Sequence, residues 1–280
     1  MFIGATIVSL GTTAPEATVS LISALQNRPS IAIGNAIGSI ICNTGLVLGL
    51  YNLIKPSKIN SRIFKVKGFI MLGYILFFWL LAQKRFIDPL SAASLLLLLV
   101  IYIVFNISII QYKRHAKKKK RFTGKKYTTK KYWKHILLFL LGLILIIIGA
   151  NLLVTNGIKI ANNWRVPASV ISLTIIALGT SLPELVTSVT ALLKGHDELS
   201  VGTILGANIL NICLVIGASA SIRPLTIESR VVKMDIPVAL GLGLLLIVPS
   251  FFSKRISRLQ GLLLLCGYIT YISILFCLFL

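Results

Sequence analysis

The sequence has 280 residues, of which 56% are apolar and 13% charged, and its formal net charge is +22 at pH 7. Soluble globular domains carry about 25% charged residues, so this composition excludes a water-soluble fold. An outer-membrane barrel would need short segments of alternating polarity, whereas the apolar runs here are long and continuous. The composition therefore predicts an all-α polytopic membrane protein.

Nine stretches are predicted to cross the membrane as helices, because about 20 apolar residues span a bilayer. Five of these stretches contain no Lys, Arg, Asp or Glu over 22 residues or more. Two others are interrupted by a single glutamate each, Glu16 and Glu184. In chain order the predicted spans are 1–27, 29–54, 68–83, 89–112, 135–158, 166–193, 199–222, 236–253 and 259–280.

The basic residues predict how the spans are oriented. The segment Lys113–Lys134 contains 12 Lys and Arg residues. Between two spans, such a segment is typical of a cytoplasmic loop beside anionic lipid and not of a nucleic-acid site. With this loop inside, 21 Lys and Arg residues lie on the cytoplasmic side and 8 on the opposite side. The first span is therefore expected to start inside, and the C-terminus to lie outside.

An internal repeat relates the two halves of the sequence. A shift of 168 residues places 6–49 on 174–217 without a gap and aligns Glu16 with Glu184. By the charge assignment the first copy starts inside and the second outside, so the two copies are inverted in the membrane. Inverted repeats around a midplane site are typical of secondary transporters.

The same alignment divides the sequence and exposes an absence. The predicted units are a first repeat over 1–111, a basic cytoplasmic loop over 112–134 and a second repeat over 135–280. The second repeat has a complete span before its aligned segment, whereas the first has only ten residues before Gly11. We expect five helices in the second repeat and four in the first, whose initial helix is missing. A truncated sequence, a misassigned start and a degenerate copy are the alternative explanations.

Each copy carries the pattern Gly-Thr-(Thr/Ser)-x-Pro-Glu in the middle of an apolar span. Proline removes a backbone donor and clashes with the preceding turn, so each helix should break there and leave carbonyl oxygens pointing into the bundle. Glu16 and Glu184 follow the break near mid-membrane. An ionised side chain at that depth costs about 2.5 kcal/mol or more on insertion scales. Each carboxylate therefore needs a proton or a cation.

Polar residues around both motifs recur at the spacing of one helix face. Their hydroxyls and amides, with the two carboxylates and the freed carbonyls, predict an all-oxygen site of the kind that Ca²⁺ and Na⁺ prefer. A competing interpretation, that the hydroxyls bond to their own helices, applies to Ser20, Ser23, Ser188 and Thr203. The polar residues are Ser9, Thr13, Glu16, Ser20, Ser23, Asn35, Ser39 and Asn43 in the first copy and Ser181, Glu184, Ser188, Thr203 and Asn211 in the second.

The two motifs resemble the alpha repeats of the cation/Ca²⁺ antiporter superfamily, specifically the prokaryotic sodium/calcium exchanger type. The resemblance covers about 45 residues in each repeat. It implies ten helices in two inverted groups of five, which enclose three Na⁺ sites and one Ca²⁺ site. The residues that carry it are Gly11-Thr12-Thr13-Ala14-Pro15-Glu16 with Gly34-Asn35 and Gly38-Ser39, and Gly179-Thr180-Ser181-Leu182-Pro183-Glu184 with Gly202 and Gly206-Ala207-Asn208-Ile209.

The resemblance also implies which residues bind the ions. Two acids and two backbone oxygens would hold Ca²⁺, whereas hydroxyls and carbonyls would serve Na⁺. The implied ligands are Glu16, Glu184 and the backbone oxygens of Thr12 and Thr180 for Ca²⁺; Thr13, Ser39, Ser181 and the carbonyls of Ser9 and Ala177 for Na⁺; and Asn43 and Asn211 at the central position.

Three positions depart from the pattern of the family. Ala207 stands where the family usually has a serine, which removes one hydroxyl from the presumed outer Na⁺ site. Ile40 replaces an asparagine that the second copy keeps as Asn208, and Asn211 stands where several members have aspartate. These departures argue against an exchange of three Na⁺ for one Ca²⁺.

Na⁺/Ca²⁺ antiport is the leading functional hypothesis, with both ions competing for one midplane site and alternating access allowed when the carboxylates are neutralised. The alternatives are an H⁺-coupled Ca²⁺ or cation antiporter, with the glutamates protonated in place of Na⁺, and a truncated, non-transporting remnant that binds cations. The sequence predicts no enzyme activity, no cofactor, no nucleic-acid partner and no obligate protein partner. Its predicted partners are Ca²⁺, Na⁺, H⁺ under the alternative, and the lipid bilayer of a prokaryotic cytoplasmic (inner) membrane.

Overall fold

The computed structural model describes residues 8–59, 61–116, 130–195, 197–253 and 255–278. The first repeat contains α1 (8–12), α2 (Ala14–Leu25), α3 (Pro29–Ile41), π1 (Cys42–Val47), α4 (Leu48–Ile54), β1 (Ser57–Lys58), α5 (Ser61–Ala82), β2 (Phe86–Ile87) and α6 (Pro89–Ala116). The second contains α7 (Lys130–Trp164), α8 (Ala168–Ile171), π2 (Ser172–Ile176), α9 (Ala177–Thr180), α10 (Leu182–Leu193), α11 (Asp197–Leu210), π3 (Asn211–Ile216), α12 (Gly217–Ile222), β3 (Leu225–Thr226), π4 (Val231–Asp235), α13 (Ile236–Ser253), β4 (Arg255–Ile256) and α14 (Arg258–Cys277).

Seven of the described helices are long and apolar enough to cross a membrane. An eighth span is obtained when α8–α9 and α10, which are bent by 40° around Ser181, are counted together. The prediction of nine spans is therefore confirmed only in part. The remaining predicted span, 1–27, is described from residue 8 onward, where α1 and α2 are separated at Thr13. The predicted basic loop, 112–134, includes the end of α6 and the start of α7, and 117–129 lie outside the described residues.

Several helices begin at residues that favour a helix start. Proline opens α3 and α6, because its fixed φ suits the first helical residue and its missing N–H is not needed there. At α14, Ser257 Oγ accepts a hydrogen bond from the Gln260 backbone N–H at 3.2 Å, and Gln260 Oε1 accepts one from the Ser257 N–H at 3.1 Å. These reciprocal bonds form a capping box that fixes where the last helix begins.

Four short strands within the described residues connect the two repeats, and they were not predicted from the sequence. β1 pairs with β4 and β2 pairs with β3, both antiparallel. Since the 22 residues of α5 separate β1 from β2, the two pairs lie at opposite ends of the bundle. The turns at 57–58 and 255–256 thus share one end, and those at 86–87 and 225–226 share the other. This grouping agrees with the predicted topology, whose inside and outside remain a prediction.

Two of the candidate spans form the centre of the bundle. In the spans Pro29–Ile54 and Ser200–Ile222, 94% and 83% of the residues are buried, against 22–50% in the other five candidate spans. The outer helices expose leucine, isoleucine and valine side chains, as expected of surfaces that face lipid. The central spans are therefore the elements best placed to carry a polar site that is shielded from lipid.

A polar network anchors the start of the second broken span. Arg230 Nη2 donates to Ser169 Oγ at 3.0 Å, and Ser169 Oγ donates to Glu228 Oε2 at 2.9 Å. Arg230 Nε also lies 3.8 Å from the fully buried Asp235 carboxylate, which accepts a hydrogen bond from Tyr271 at 3.0 Å. The network links α8 to the segment before α13 and to α14, and so holds the entry to the second motif.

Candidate functional site

The two motif glutamates each lie in the first turn of a helix that follows an interruption of the preceding helix. Thr13 separates α1 from α2, and Ser181 separates α9 from α10. Glu16 and Glu184 are both fully buried. The predicted breaks are thus confirmed, and their cause is the proline that precedes each glutamate.

The two motifs meet across the repeats. Ser181 of the second motif donates a hydrogen bond from Oγ to Glu16 Oε1 at 3.3 Å. The Thr12 hydroxyl of the first motif lies beside the Glu184 carboxylate, without a hydrogen bond of ordinary geometry. Glu16 also lies within electrostatic reach of Glu184. Each glutamate is therefore approached by a hydroxyl of the opposite copy.

Several oxygens of this site are buried and have no hydrogen-bond partner among the described residues. They are Glu16 Oε2, both carboxylate oxygens of Glu184, and the hydroxyl of Thr13. A buried polar group without a partner is costly, and an unpaired buried carboxylate more so. These atoms are a set of hard oxygen donors, of the kind that Ca²⁺ and Na⁺ prefer.

Asn35 on α3 links the two motifs and was not among the predicted ligands. Its Nδ2 donates to the Glu16 carbonyl at 3.1 Å and to Ser20 Oγ at 3.0 Å, and its Oδ1 accepts from Thr180 Oγ1 at 3.0 Å. The Ser39 hydroxyl, one turn along α3, lies 3.4 Å from the same Thr180 oxygen. The four-residue step from Asn35 to Ser39 was the signal in the sequence, but it did not reveal which partners Asn35 would have.

A second set of amides lies in π1, in π3 and at the end of α11. Asn43 in π1 donates to Asn208 Oδ1 at 3.3 Å, and Asn208 donates to Thr44 Oγ1 at 2.8 Å. Both side-chain polar atoms of Asn211 in π3, and the Oδ1 of Asn43, are buried, and no described residue forms a hydrogen bond with them. Asn208, noted in the sequence only because Ile40 replaces it in the first copy, thus joins the two repeats at this level.

The predicted ligands are all buried, but they are not all available in the same way. The carbonyls of Ser9 and Ala177 each accept two hydrogen bonds, one from a backbone N–H and one from the threonine hydroxyl of the same motif. Whether these residues bind ions stays a prediction. The eleven buried residues are Ser9, Thr12, Thr13, Glu16, Ser39, Asn43, Ala177, Thr180, Ser181, Glu184 and Asn211.

The competing interpretation, that the serine and threonine hydroxyls bond to their own helices, holds for only some of these residues. Ser23 donates to the Val19 carbonyl of its own helix at 2.7 Å, so its role is local. Ser20 instead donates to the Ala32 carbonyl of α3 at 3.2 Å and thereby joins two helices. The Ser188 hydroxyl finds no hydrogen-bond partner in the part of the chain that the structure describes.

The fold and the oxygen-rich site define an integral membrane protein of the cation-transporting class. The chain matches the sodium/calcium exchanger protein family over residues 1–108 and 134–277, and it belongs to that family. The family consists of cation exchangers and not of enzymes. The resemblance stated from the two motifs is thereby confirmed.

Individual relatives agree with this assignment. The chain is 34% identical over 284 residues to the putative antiporter CaxA of Alkalimonas amylolytica, covering 99% of this chain and 88% of CaxA. It is 32% identical over 288 residues to the inner membrane protein YrbG of Escherichia coli, covering 99% and 86%. Among solved structures, it is similar to the sodium-calcium exchanger NCX_Mj soaked with 2.5 mM Na⁺ and 0.1 mM Ca²⁺, with a TM-score of 0.72, 30% identity, and 97% and 85% of the two chains covered.

Proposed function

We propose that this chain exchanges Na⁺ for Ca²⁺ through a single site that holds either ion. The observation that carries the proposal is the meeting of the two motifs, in which Ser181 of one repeat bonds to Glu16 of the other beside the equally buried Glu184. Two ionised carboxylates carry a charge of −2 in an interior of low dielectric constant, which favours one divalent or two monovalent cations. The similarity to NCX_Mj, a sodium-calcium exchanger, supports the choice of these ions.

Competition between the two ions follows from the shared carboxylates. One bound Ca²⁺ or two bound Na⁺ ions neutralise Glu16 and Glu184, and the site can then pass between inward-open and outward-open states without exposing uncompensated charge to the membrane interior. The helix interruptions at Thr13 and Ser181 lie close to the glutamates. They are suitable places for the helices on either side to change their relative angle. The empty, charged site does not change between the inward-open and outward-open states. Movement of one ion is therefore coupled to movement of the other.

We infer that the segment 112–134 lies on the cytoplasmic side of an inner membrane. The excess of basic residues on that side supports the orientation, as does the pairing of β1 with β4 and of β2 with β3. The name of the relative YrbG, an inner membrane protein, supports the location.

Vesicles containing the purified protein test the coupling ion. Equal K⁺ on both sides with valinomycin fixes the membrane potential, and a protonophore then removes any pH gradient. We expect ⁴⁵Ca²⁺ uptake into Na⁺-loaded vesicles under these conditions, because the outward Na⁺ gradient supplies the driving force. Choline-loaded vesicles are the matched control and should take up no Ca²⁺ above background.

Two results would contradict the proposal. Uptake that needs an imposed pH gradient and ignores Na⁺ would establish the H⁺-coupled alternative. A folded protein that binds Ca²⁺ but moves it under neither gradient would establish a non-transporting cation-binding protein.

A further inference from the structure

The two copies of the repeat differ at two serine positions near the site, Ser9 and Ser39 of the first copy. The 168-residue shift aligns Ser39 with Ala207, so the second copy lacks a hydroxyl there. The same shift aligns Ser9 with Ala177, where the first copy has a hydroxyl that the second lacks. The loss at one position is thus accompanied by a gain at another.

Ala177 and Ser9 each contact the glycine that precedes the other position of the pair, Gly38 before Ser39 and Gly206 before Ala207. A Cβ placed on Gly38, next to Ser39, would lie 2.7 Å from the Ala177 Cβ. A Cβ placed on Gly206, next to Ala207, would lie 3.1 Å from the Ser9 Cβ and 2.8 Å from its Oγ. Helix α3 therefore packs on α9 as α11 packs on α1. The side chain that faces the glycine is a methyl group in the first contact, from Ala177, and a hydroxymethyl group in the second, from Ser9.

Ser39 lies beside the second motif in the structure, and Ser9 lies beside the first motif in the sequence. Ser39 Oγ lies 3.4 Å from Thr180 Oγ1 of the second motif. Ser9 lies two residues before Gly11, the start of the first motif, and is fully buried, as are Ser39, Ala177 and Ala207. Each half of the site thus has one serine hydroxyl at the crossing of two helices, although both serines belong to the first repeat.

The Ser9 hydroxyl is also the more suitable oxygen of that residue for a cation. The Ser9 carbonyl already accepts hydrogen bonds from Thr13 N at 2.9 Å and Thr12 Oγ1 at 3.3 Å. A hydroxyl oxygen has two lone pairs, which stay available to a cation whichever group its O–H donates to. Neutral hydroxyl oxygens are hard donors that suit Na⁺.

We propose that the Ser9 hydroxyl is a Na⁺ ligand that replaces the hydroxyl absent at Ala207. This inference rests on the proposed function and deepens it, because it assigns a Na⁺ position to each half of the site. Ser39 serves the half formed with Thr180, and Ser9 serves the half formed with Gly206 and Ala207.

The test is a pair of exchanged serines. Ser9→Ala should raise the Na⁺ concentration for half-maximal exchange by about tenfold, the effect of losing one ligand to a cation, and should lower the Hill coefficient for Na⁺. Ca²⁺/Ca²⁺ self-exchange without Na⁺ should keep its half-saturation, which a merely structural defect would not allow. Adding Ala207→Ser to Ser9→Ala should restore the Na⁺ dependence.

The variants are expected to fold because each reproduces a contact that the protein already contains. Alanine at position 9 copies the packing of Ala177 on Gly38, and serine at position 207 copies Ser39. Ser221→Ala is the matched control, because the Ser221 hydroxyl donates to the Gly217 carbonyl of its own helix at 2.8 Å. It should leave the Na⁺ dependence unchanged.

The outcomes separate this inference from the proposed function. Normal wild-type exchange with an unchanged Na⁺ dependence in Ser9→Ala, or a double variant that stays impaired, would overturn the assignment of Ser9 alone. A wild type that shows no Na⁺-driven exchange would overturn the proposed function and the Na⁺ ligand together.

Discussion

Replacement of either buried glutamate, by Glu16→Gln or Glu184→Gln, is expected to abolish Na⁺-driven Ca²⁺ uptake. Glutamine keeps the size and one carbonyl oxygen of the side chain but removes a negative charge. The variant site, at −1, leaves a bound Ca²⁺ with one uncompensated positive charge. At about 3 kcal/mol for such a charge in the membrane interior, binding should fall roughly 100-fold. Initial rates of ⁴⁵Ca²⁺ uptake into Na⁺-loaded vesicles measure the effect.

A glutamate at the bundle end provides the control for this prediction. The Glu228 side chain is 42% exposed and lies 3.7 Å from Arg230. An ion pair with this degree of exposure contributes little, and glutamine keeps an oxygen that can accept the hydrogen bond from Ser169, so Glu228→Gln should keep uptake near the wild-type rate. Equal uptake by Glu16→Gln, Glu184→Gln and Glu228→Gln would show that the motif carboxylates do not bind the transported ion.

Gly38→Ala is expected to have the second largest effect, because the backbone of another helix fills the space beside Gly38. The added Cβ would lie 2.6 Å from the Leu173 carbonyl oxygen and 2.8 Å from the Leu173 Cα. Overpacking of this kind costs about 1–3 kcal/mol, and backbone atoms cannot yield by changing rotamer. The variant should therefore have a lower melting temperature. It should also lose transport, because α3 is pushed away from α9 and Ser39 from Thr180.

Gly73→Ala is the matched control, because a Cβ on Gly73 would meet nothing within 4 Å. This exposed glycine lies within α5, where alanine is the better helix former by about 1 kcal/mol. The melting temperature of the Gly73→Ala variant should equal or exceed that of the wild type in a detergent-based thermal unfolding assay. A Gly38→Ala variant as stable and active as Gly73→Ala would mean that the close helix crossing is not needed.

The main features of the site could be predicted from the sequence because two strong local signals coincide there. A proline followed by a carboxylate inside an apolar span has an energetic meaning that needs no knowledge of the fold. The repetition of this pattern in opposite orientation then indicates that Glu16 and Glu184 face one another. The contact between Ser181 and Glu16 is the structural counterpart of that argument.

The features that were missed depend on contacts between distant segments. The strand pairs join Ser57–Lys58 to Arg255–Ile256 and Phe86–Ile87 to Leu225–Thr226, and no two-residue strand can be recognised without its partner. The π-helical segments also carry no local marker, although they place Asn43 and Asn211. The bonds of Asn35 to Glu16 and Thr180 depend likewise on how α3 crosses both motifs.

Equilibrium binding of ⁴⁵Ca²⁺ to the purified protein tests most directly whether the two carboxylates form one site. One Ca²⁺ should bind per chain, Na⁺ should displace it competitively, and binding should disappear in Glu16→Gln, in Glu184→Gln and in the double variant alike. Two independent Ca²⁺ sites, each surviving the loss of the other repeat's glutamate, would contradict the account.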